Sequence, residues 1–494
     1  MATRGTSAAQ ARANHDEAIR RTARGCLIAA DVDRTVVEQG DTKERSEFLT
    51  LVAPKLVVAA QNGMNLAFLT GNSMKELSER FLKWLVQQLC LTGHLSLLSQ
   101  FHFFCNSGGV YAHFSPADME AVIQASLKGE PDPDLIYTSL TFDGPAGRAI
   151  KPQFLDATYI QQCQIPAAEL DEVTAILAEA ATRYHAGICT KRGGLERSYD
   201  LSFIQDKDSG EFIRPTPEAR PVQYGVPNEL NQAVVQVTLK PILSFRHAWE
   251  AQRAKLVANG DERISLAKKI QQELDRRGFD HFIARPGGRS SIDVTLEKLD
   301  KAYALQFIID RLNVQGSWRL GEKIGTNTIY FGDEVIVGGG NDYPVTRIPG
   351  LLVFAVNPDR NLVPFLSRVF VPSTILGGPS ATAEVLEDLN RCSTELQLQF
   401  KPDRPTRNAV EDLKIRLFSR RIKQKIDQLE PSTEHSVRDW QALHALVTLM
   451  CRDDEASKEW LSILVEELDR IMTHLATQKT PSQRAIGASH ADRL

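Results

Sequence analysis

Four short apolar runs, each ending in a cluster of acidic, hydroxyl-bearing or glycine residues, constrain this chain more than any other feature. Cys26-Leu27-Ile28-Ala29-Ala30 stops at Asp31, and Asn65-Leu66-Ala67-Phe68-Leu69 stops at Thr70-Gly71-Asn72. Phe101 to Cys105 runs into Asn106-Ser107-Gly108-Gly109, and Thr328-Ile329-Tyr330-Phe331 into Gly332-Asp333. Such runs lack the alternation of a half-exposed strand and are too short for a buried helix, so they read as strands covered on both faces. Between them the spacing turns helical, with Phe48, Leu49, Leu51, Val52, Leu56 and Val57 inside 46–62 and a second helical stretch from Ser73 to Leu89. Strand–helix alternation of this kind implies an α/β fold around a parallel sheet.

With 494 residues the chain exceeds one ordinary domain. Residues 1–24 are polar and read as a frayed N-terminal extension, and 25–114 as the first part of the α/β core. From 115 to 293 the rhythm changes to that of an inserted α+β domain. Helical spacing over 166–184 and 248–277 there alternates with half-exposed strands at 232–239 and 291–295, and a Pro- and charge-rich loop is expected over 209–228. The α/β rhythm returns over 294–390, with a helix from Lys301 to Leu312 and a strand over 351–356. Apolar stripes from Leu413 to Leu475 predict a helical region over 391–476, followed by a polar, disordered tail at 477–494.

A net charge of -4 gives no sign of the dense cationic field that a nucleic acid requires, so a small substrate is expected. Seven scattered cysteines without a CxxC pair argue against zinc and against a disulfide framework, and fit free thiols in a reducing cytoplasm. No apolar run approaches the roughly 20 residues of a membrane span, and the N-terminus has no hydrophobic core of a secretory signal.

The chemistry gathers where the strands end. Asp31-Val32-Asp33-Arg34-Thr35 offers two carboxylates that can converge on one cation and one phosphorus, the first attacking and the second moving a proton. A capped strand-to-helix turn uses the same letters. Thr70, with the backbone N–H groups of a following helix start, can cradle a phosphate or simply cap that helix. Gly332-Asp333 and Gly338-Gly339-Gly340-Asn341-Asp342 supply hard oxygen ligands suited to Mg²⁺, or a Gly-rich turn with solvated acids. Lys301 opens a helix after Asp300 and can hold both a nucleophilic carboxylate and a phosphate.

In this order, the four signals resemble the motifs of the haloacid dehalogenase superfamily over roughly residues 25–390. The resemblance implies a Rossmannoid parallel-sheet core with an inserted cap and, here, a C-terminal helical extension. It implies that Asp31 forms an aspartyl-phosphate and that Asp33 is the general acid/base. Thr70, with Gly71 and Asn72, and Lys301 would bind phosphate. Asp31, Asp33 through its carbonyl, and Asp333 would ligate Mg²⁺, with Asn341 and Asp342 close by. An insertion between the Thr and Lys motifs marks a type 2 cap. Asn106 to Tyr111, Gly287 to Val294, Leu299 to Leu305 and Gly339 to Asp342 are similar to segments of Cof-like sugar phosphatases and eukaryotic-type phosphomannomutases. Leu376-Gly377-Gly378-Pro379, then a helix from Ala381 to Leu389, is similar to the closing helix of trehalose-phosphatases.

The chain departs from that pattern at Arg34, where the family commonly has Gly, and in the long loop from Asp333 to Asn341. The helical region after 390 has no counterpart in the small sugar phosphatases. In the cap, Lys191, Arg192, Arg197 and Arg289 are candidates to meet a sugar hydroxyl or second phosphate, against the ordinary alternative of a solvated surface. The expected function is a cytoplasmic Mg²⁺-dependent phosphatase of a sugar phosphate or similar phosphomonoester. The alternatives are a phosphohexomutase and a regulatory protein with reduced catalysis. The C-terminal helices, with the basic-rich stretch between Lys401 and Lys425, offer a face for a protein partner or for self-association, against the ordinary alternative of a solvated helix face.

Overall fold

A computed structural model describes residues 8–23, 26–38, 48–126, 132–144, 147–190, 217–221, 233–239, 262–287, 291–314, 327–336, 340–356, 369–372, 377–400, 408–414 and 416–417. Helix Ala8–Thr22 (α1) leads into strand Leu27–Ala30 (β1). Helix Ala53–Gln61 (α2), strand Asn65–Leu69 (β2), helices Met74–Leu77 (α3) and Lys83–Leu91 (α4), and strands Phe101–Cys105 (β3) and Val110–His113 (β4) follow. Next come helices Pro116–Ser126 (α5) and Pro133–Leu140 (α6), the hairpin Thr141–Gly144 (β5) and Gly147–Ile150 (β6), and helices Ala157–Cys163 (α7) and Ala167–Thr190 (α8). Strands Glu218–Pro221 (β7) and Val234–Leu239 (β8), helix Glu262–Arg276 (α9), and strands Phe282–Gly287 (β9) and Ser291–Leu296 (β10) continue the chain. Helix Lys301–Val314 (α10), strands Thr328–Gly332 (β11), Leu352–Ala355 (β12) and Val369–Phe370 (β13), and helix Gly378–Leu398 (α11) complete it.

The fold is α/β. Seven strands form the central sheet in the order β13-β12-β11-β1-β2-β3-β4. All neighbours pair in parallel except β3 with β4. Every residue of β1, β2, β3 and β11 is buried, as their unalternating apolar sequences require. Register places Ala30 opposite both Phe331 and Phe68, so the residues that follow these strands emerge at one rim. In open α/β sheets that carboxyl-end rim is where ligands gather.

The inserted stretch divides by its packing, where the sequence suggested one unit from 115 to 293. Helices α5 and α6 and the β5–β6 hairpin lie against the helices that follow β2, and so thicken the core. A separate four-stranded sheet, β7-β8-β10-β9, builds its own apolar layer with α8 and α9 around Val173, Ile176, Leu177, Val237, Ile270 and Ile292. This second sheet extends to Leu296, past the expected exit at 293. Strand β7 occupies part of the segment expected to be a loop, since Glu218–Pro221 pairs with the buried strand β8.

Two terminal expectations are also corrected. Residues 8–22 form a helix rather than a frayed extension, because Ala18 and Thr22, with the following Ala23, bury a narrow face and α1 packs on α11. Three small buried residues leave too faint a stripe to stand out by periodicity. Helix α11 continues to Leu398, beyond the boundary set at 390, and buries Leu389, Cys392 and Ser393. The first compact unit ends at Ala409 and a second begins at Val410. Of the second unit only 410–414 and 416–417 are described, as helix, with Arg416 Nε donating to Asp412 Oδ2 at 2.9 Å. The remaining C-terminal stripes and the tail lie outside the described residues. No described helix is long and apolar enough to cross a membrane. Cys26, Cys90, Cys105, Cys163 and Cys392 are buried free thiols.

Candidate active site

Asp31 directly follows β1, and its N–H donates to Phe331 O at 2.9 Å, which extends the sheet pairing by one residue. That register places Asp31 beside Gly332, the end of β11 and the residue before Asp333. Asp31, Asp333 and Asp342 are all buried, and each offers a carboxylate oxygen within 4.8 Å of the others. Residues three hundred positions apart thus share one rim.

Lys301 Nζ sits between two of these acids, 2.9 Å from Asp31 Oδ1 and 2.7 Å from Asp342 Oδ1. Burial lowers the pKa of this ammonium, but the carboxylates of Asp31 and Asp342 outweigh that and hold it above the usual lysine value. Asp342 is filled by donors, since Oδ1 also accepts from Tyr330 OH at 2.6 Å and Oδ2 from Glu334 N at 2.9 Å. Its carboxylate lies so close to β11 that a Cβ on Gly332 would meet it at 2.6 Å. A buried charge with this many partners fixes the loop and the lysine together.

Asp31 accepts from Val32 N at 2.8 Å on the oxygen that also meets Lys301, so both contacts fall on Oδ1. Burial raises the pKa of the Asp31 carboxyl, with Lys301 opposing and the Asp342 and Asp33 charges adding to the rise. Asp333 is likewise pushed well above the carboxylate range by burial, against the pull of Arg34. Two cations at this rim, Lys301 and Arg34, face four acids, Asp31, Asp333, Asp342 and Glu334. With all four ionised, two negative charges are left over, the complement of one divalent cation. Hard carboxylate oxygens at this spacing fit Mg²⁺.

Asp33 stands at the mouth of the rim, where its Oδ2 accepts from Asn72 Nδ2 at 2.6 Å and Arg80 Nη1 lies 3.6 Å from Oδ1. Thr70 is buried, and its Oγ1 accepts from Asn72 N at 3.1 Å. Its carbonyl accepts from Ser107 N at 3.1 Å, which ties the ends of β2 and β3. Asn72, expected at the phosphate, donates to Asp33 and so stands at the same mouth. Gly71 has no steric demand for glycine, because a Cβ there would meet only Ser107 Oγ at 3.8 Å.

Between this rim and the second sheet lies a cavity of about 370 Å³, lined by Arg285, Asp293, Thr295, Lys301, Tyr343 and Arg347 among others, with Asn341 also in its wall. The second sheet explains the character of that lining. Val237, Leu239, Ile292 and Val294 enter its apolar layer, which leaves the alternate residues Gln236, Thr238, Asp293 and Thr295 on the opposite side. These four are nevertheless buried. Gln236 Nε2 donates to Thr238 Oγ1 and Thr238 Oγ1 to Asp293 Oδ1, each at 2.8 Å. Gly287 must be glycine, since a Cβ there would fall 1.8 Å from Asp293 Oδ2.

No family model matches this sequence, and no curated protein matches it. Among solved structures it is similar to the sucrose-phosphatase of Synechocystis in complex with sucrose and phosphate, at 13% identity over 74% of this chain and 97% of that one, with a TM-score of 0.36. It is also similar to the IMP-nucleotidase of Plasmodium falciparum, at 12% identity over 76% of this chain and 73% of that one, TM-score 0.38. A haloacid dehalogenase-like hydrolase of Bacteroides thetaiotaomicron gives 13% identity over 73% and 98%, TM-score 0.34. Superpositions this loose carry no function across, and the reading of the site rests on its own geometry.

Of the expected site residues, the structure brings Asp31, Asp33, Thr70, Lys301, Asp333 and Asp342 to one rim, with Asn341 beside it. Lys191, Arg192, Arg197 and Arg289 lie outside the residues whose side chains are described. Sequence reasoning missed Tyr330, Arg80, Arg285 and Asp293. Tyr330 is hidden inside a strand that reads only as apolar. Asp293 does carry a signal, as the acid at an alternating position of Ser291-Ile292-Asp293-Val294-Thr295.

Proposed function

We propose that this chain is a haloacid dehalogenase-type, Mg²⁺-dependent phosphatase that hydrolyses a sugar phosphate or similar small phosphomonoester. The observation that carries this reading is Lys301 clasped between Asp31 and Asp342, with Asp333 inside the same small cluster of carboxylates. A lysine held there neutralises the attacking carboxylate and the incoming phosphate together.

Asp31 and Asp333, with the Asp33 carbonyl, would hold the metal, while Asp342 serves mainly as the anchor of Lys301. Bound there, Mg²⁺ supplies the charge neutralisation that lets an anionic nucleophile approach an anionic ester. Asp31 Oδ2 attacks phosphorus in line and forms the aspartyl-phosphate. Asp33, oriented by Asn72, gives its proton to the leaving oxygen and afterwards takes one from the water that attacks the acyl-phosphate. Thr70 and Lys301 orient the phosphoryl oxygens.

The cavity's size and lining support a small hydroxylated leaving group. About 370 Å³ lies at the low end of ligand pockets, and the Asp293 carboxylate with Thr295 presents acceptors suited to sugar hydroxyls. Phosphate release from a panel of sugar, polyol and nucleoside monophosphates with Mg²⁺, run beside Asp31→Asn and in the presence of a chelator, tests the proposal. Release is expected from the polyol and sugar esters, and its loss both in the variant and on chelation. Turnover that survives Asp31→Asn rejects the nucleophile. Phosphoryl return to a second sugar hydroxyl in place of phosphate release turns the reading to a mutase.

A further inference from the structure

Arg34 occupies a place in the acidic rim that its backbone has to strain to give it. Its φ is +57°, in the left-handed region that costs a residue with a Cβ about 1 kcal/mol. The turn around it is pinned on several sides. Arg34 N donates to Val37 O at 2.6 Å, Thr382 Oγ1 of α11 donates to Thr35 O at 2.6 Å, and a Cβ on Gly378 would lie 3.0 Å from Arg34 O. From this turn the guanidinium crosses to the other acidic loop, with Nη2 at 2.8 Å from Asp333 Oδ2 and 3.1 Å from Glu334 Oε1.

Its fit there is poor as hydrogen bonding. Arg34 Nε is buried without a partner, and Asp333 Oδ2 is buried without an aligned hydrogen bond despite the short ion-pair distance. A guanidinium in a seat made for it would use its planar fork on both carboxylate oxygens. Here one nitrogen serves two acids and a donor is left over. One hydrogen bond, from Nη2 to Glu334 Oε1, joins the charge in holding it.

We propose that Arg34 is the resident counter-cation of Asp333, which a divalent ion must displace to bind, so that Arg34 sets the metal affinity of the site downward and keeps the metal-free rim assembled. This inference rests on the proposed metal site but concerns a residue that need not touch substrate. Arg34 bridges the turn after β1 and the loop after β11 across the place where both offer oxygens. Removing its charge therefore has opposite effects on the two states of the site.

The test is calorimetric titration of the full chain with MgCl₂, together with melting curves in chelator and in excess Mg²⁺. It compares wild type, Arg34→Gly, Arg34→Gln and Arg34→Lys, with Asp333→Asn as the control for the site. Arg34→Gly and Arg34→Gln are expected to bind Mg²⁺ about tenfold more tightly or better, the scale on which groups around a metal site tune affinity. Both should also show a wider gap in Tm between chelator and Mg²⁺. Arg34→Lys, which keeps the charge and loses the fork, is expected between them and wild type. Arg34→Gln keeps the test open should Arg34→Gly fold poorly. Equal Mg²⁺ affinity in wild type and both neutral variants overturns the inference and leaves Arg34 a structural latch. If no protein binds Mg²⁺, Asp333→Asn included, the metal site itself falls, and this inference with it. Binding by wild type that Asp333→Asn abolishes, without any Arg34 effect, retires the inference alone.

Discussion

The two sheets that meet across the cavity carry their polar groups in opposite ways. At the rim of the central sheet the acids stand in contiguous motifs at strand ends, and Lys301 is locked between Asp31 and Asp342. On the second sheet the polar groups sit at alternate positions within strands, and Asp293 is held through Thr238 from Gln236. The first arrangement suits chemistry, which needs a few charges at fixed separations on a rigid base. The second suits recognition, where many modest hydrogen bonds describe a shape. Sequence reading follows from the same difference. Asp31-Val32-Asp33 and Gly332-Asp333 are visible because chain direction and parallel pairing bring strand ends together, whereas which face of β10 meets a ligand depends on how one sheet docks on another.

The largest effect that could break this contrast is at Lys301. Lys301→Met leaves Asp31 and Asp342 buried without their cation, a change expected to cost about 3–5 kcal/mol in chemical denaturation along with all turnover. A loss under about 1 kcal/mol would mean the acids are not mutually dependent on it.

Asp293 sharpens the other side. Asp293→Ala is expected to raise KM for a polyol phosphate about 10–100-fold while kcat stays within about threefold, as loss of hydrogen bonds to a charged group would do. An equal fall in kcat with KM unmoved would place Asp293 in the chemistry and erase the division of labour.

A smaller effect concerns pH and the outer strands of the central sheet. His102 on β3 is buried between Tyr111 OH at 2.9 Å from Nδ1 and Asn65 Oδ1 at 3.4 Å from Nε2, and its ring stacks on His113 at 4.6 Å. Burial, with the charges of His113 and Arg311 adding to it, holds its pKa well below the ordinary 6.5. A depressed folded-state pKa means the unfolded chain takes up the proton first. The His102 contribution is therefore complete above 6.5 and is lost as pH falls below it, by up to about 1.4 kcal/mol per pH unit. Urea midpoints measured from neutral pH down to about pH 5 should fall less steeply in His102→Gln.

The smallest effect is expected on the far side of the second sheet. Arg277 meets Glu172 at 2.7 Å, Glu179 at 2.6 Å and Glu273 at 2.8 Å, a denser set of ion pairs than at Lys301. Glu172 and Glu179 are about half exposed, where screening and side-chain entropy cancel most of the gain. Arg277→Ala should leave Tm and KM unresolved from wild type, and a clear shift would show that this cluster, too, supports the cavity wall.

What the sequence concealed has physical reasons. The N-terminal helix hides because its buried face is made of small residues, and the division of 115–293 hides because α5, α6 and the hairpin differ from cap elements only in what they pack on. Arg34 stands out by type at its position, but its reach to Asp333 depends on a left-handed turn that no letter announces. The rim acids and Lys301, by contrast, lie in contiguous motifs at strand and helix ends that the letters themselves display.

The most direct test of the account is to ask which atom carries phosphate during turnover. Acid quenching of the full chain with a radiolabelled aryl phosphate and Mg²⁺, followed by peptide mapping, should place an acid-stable, hydroxylamine-labile label on Asp31 and none in Asp31→Asn. A label on another residue, or phosphate release by Asp31→Asn at the wild-type rate, would contradict it.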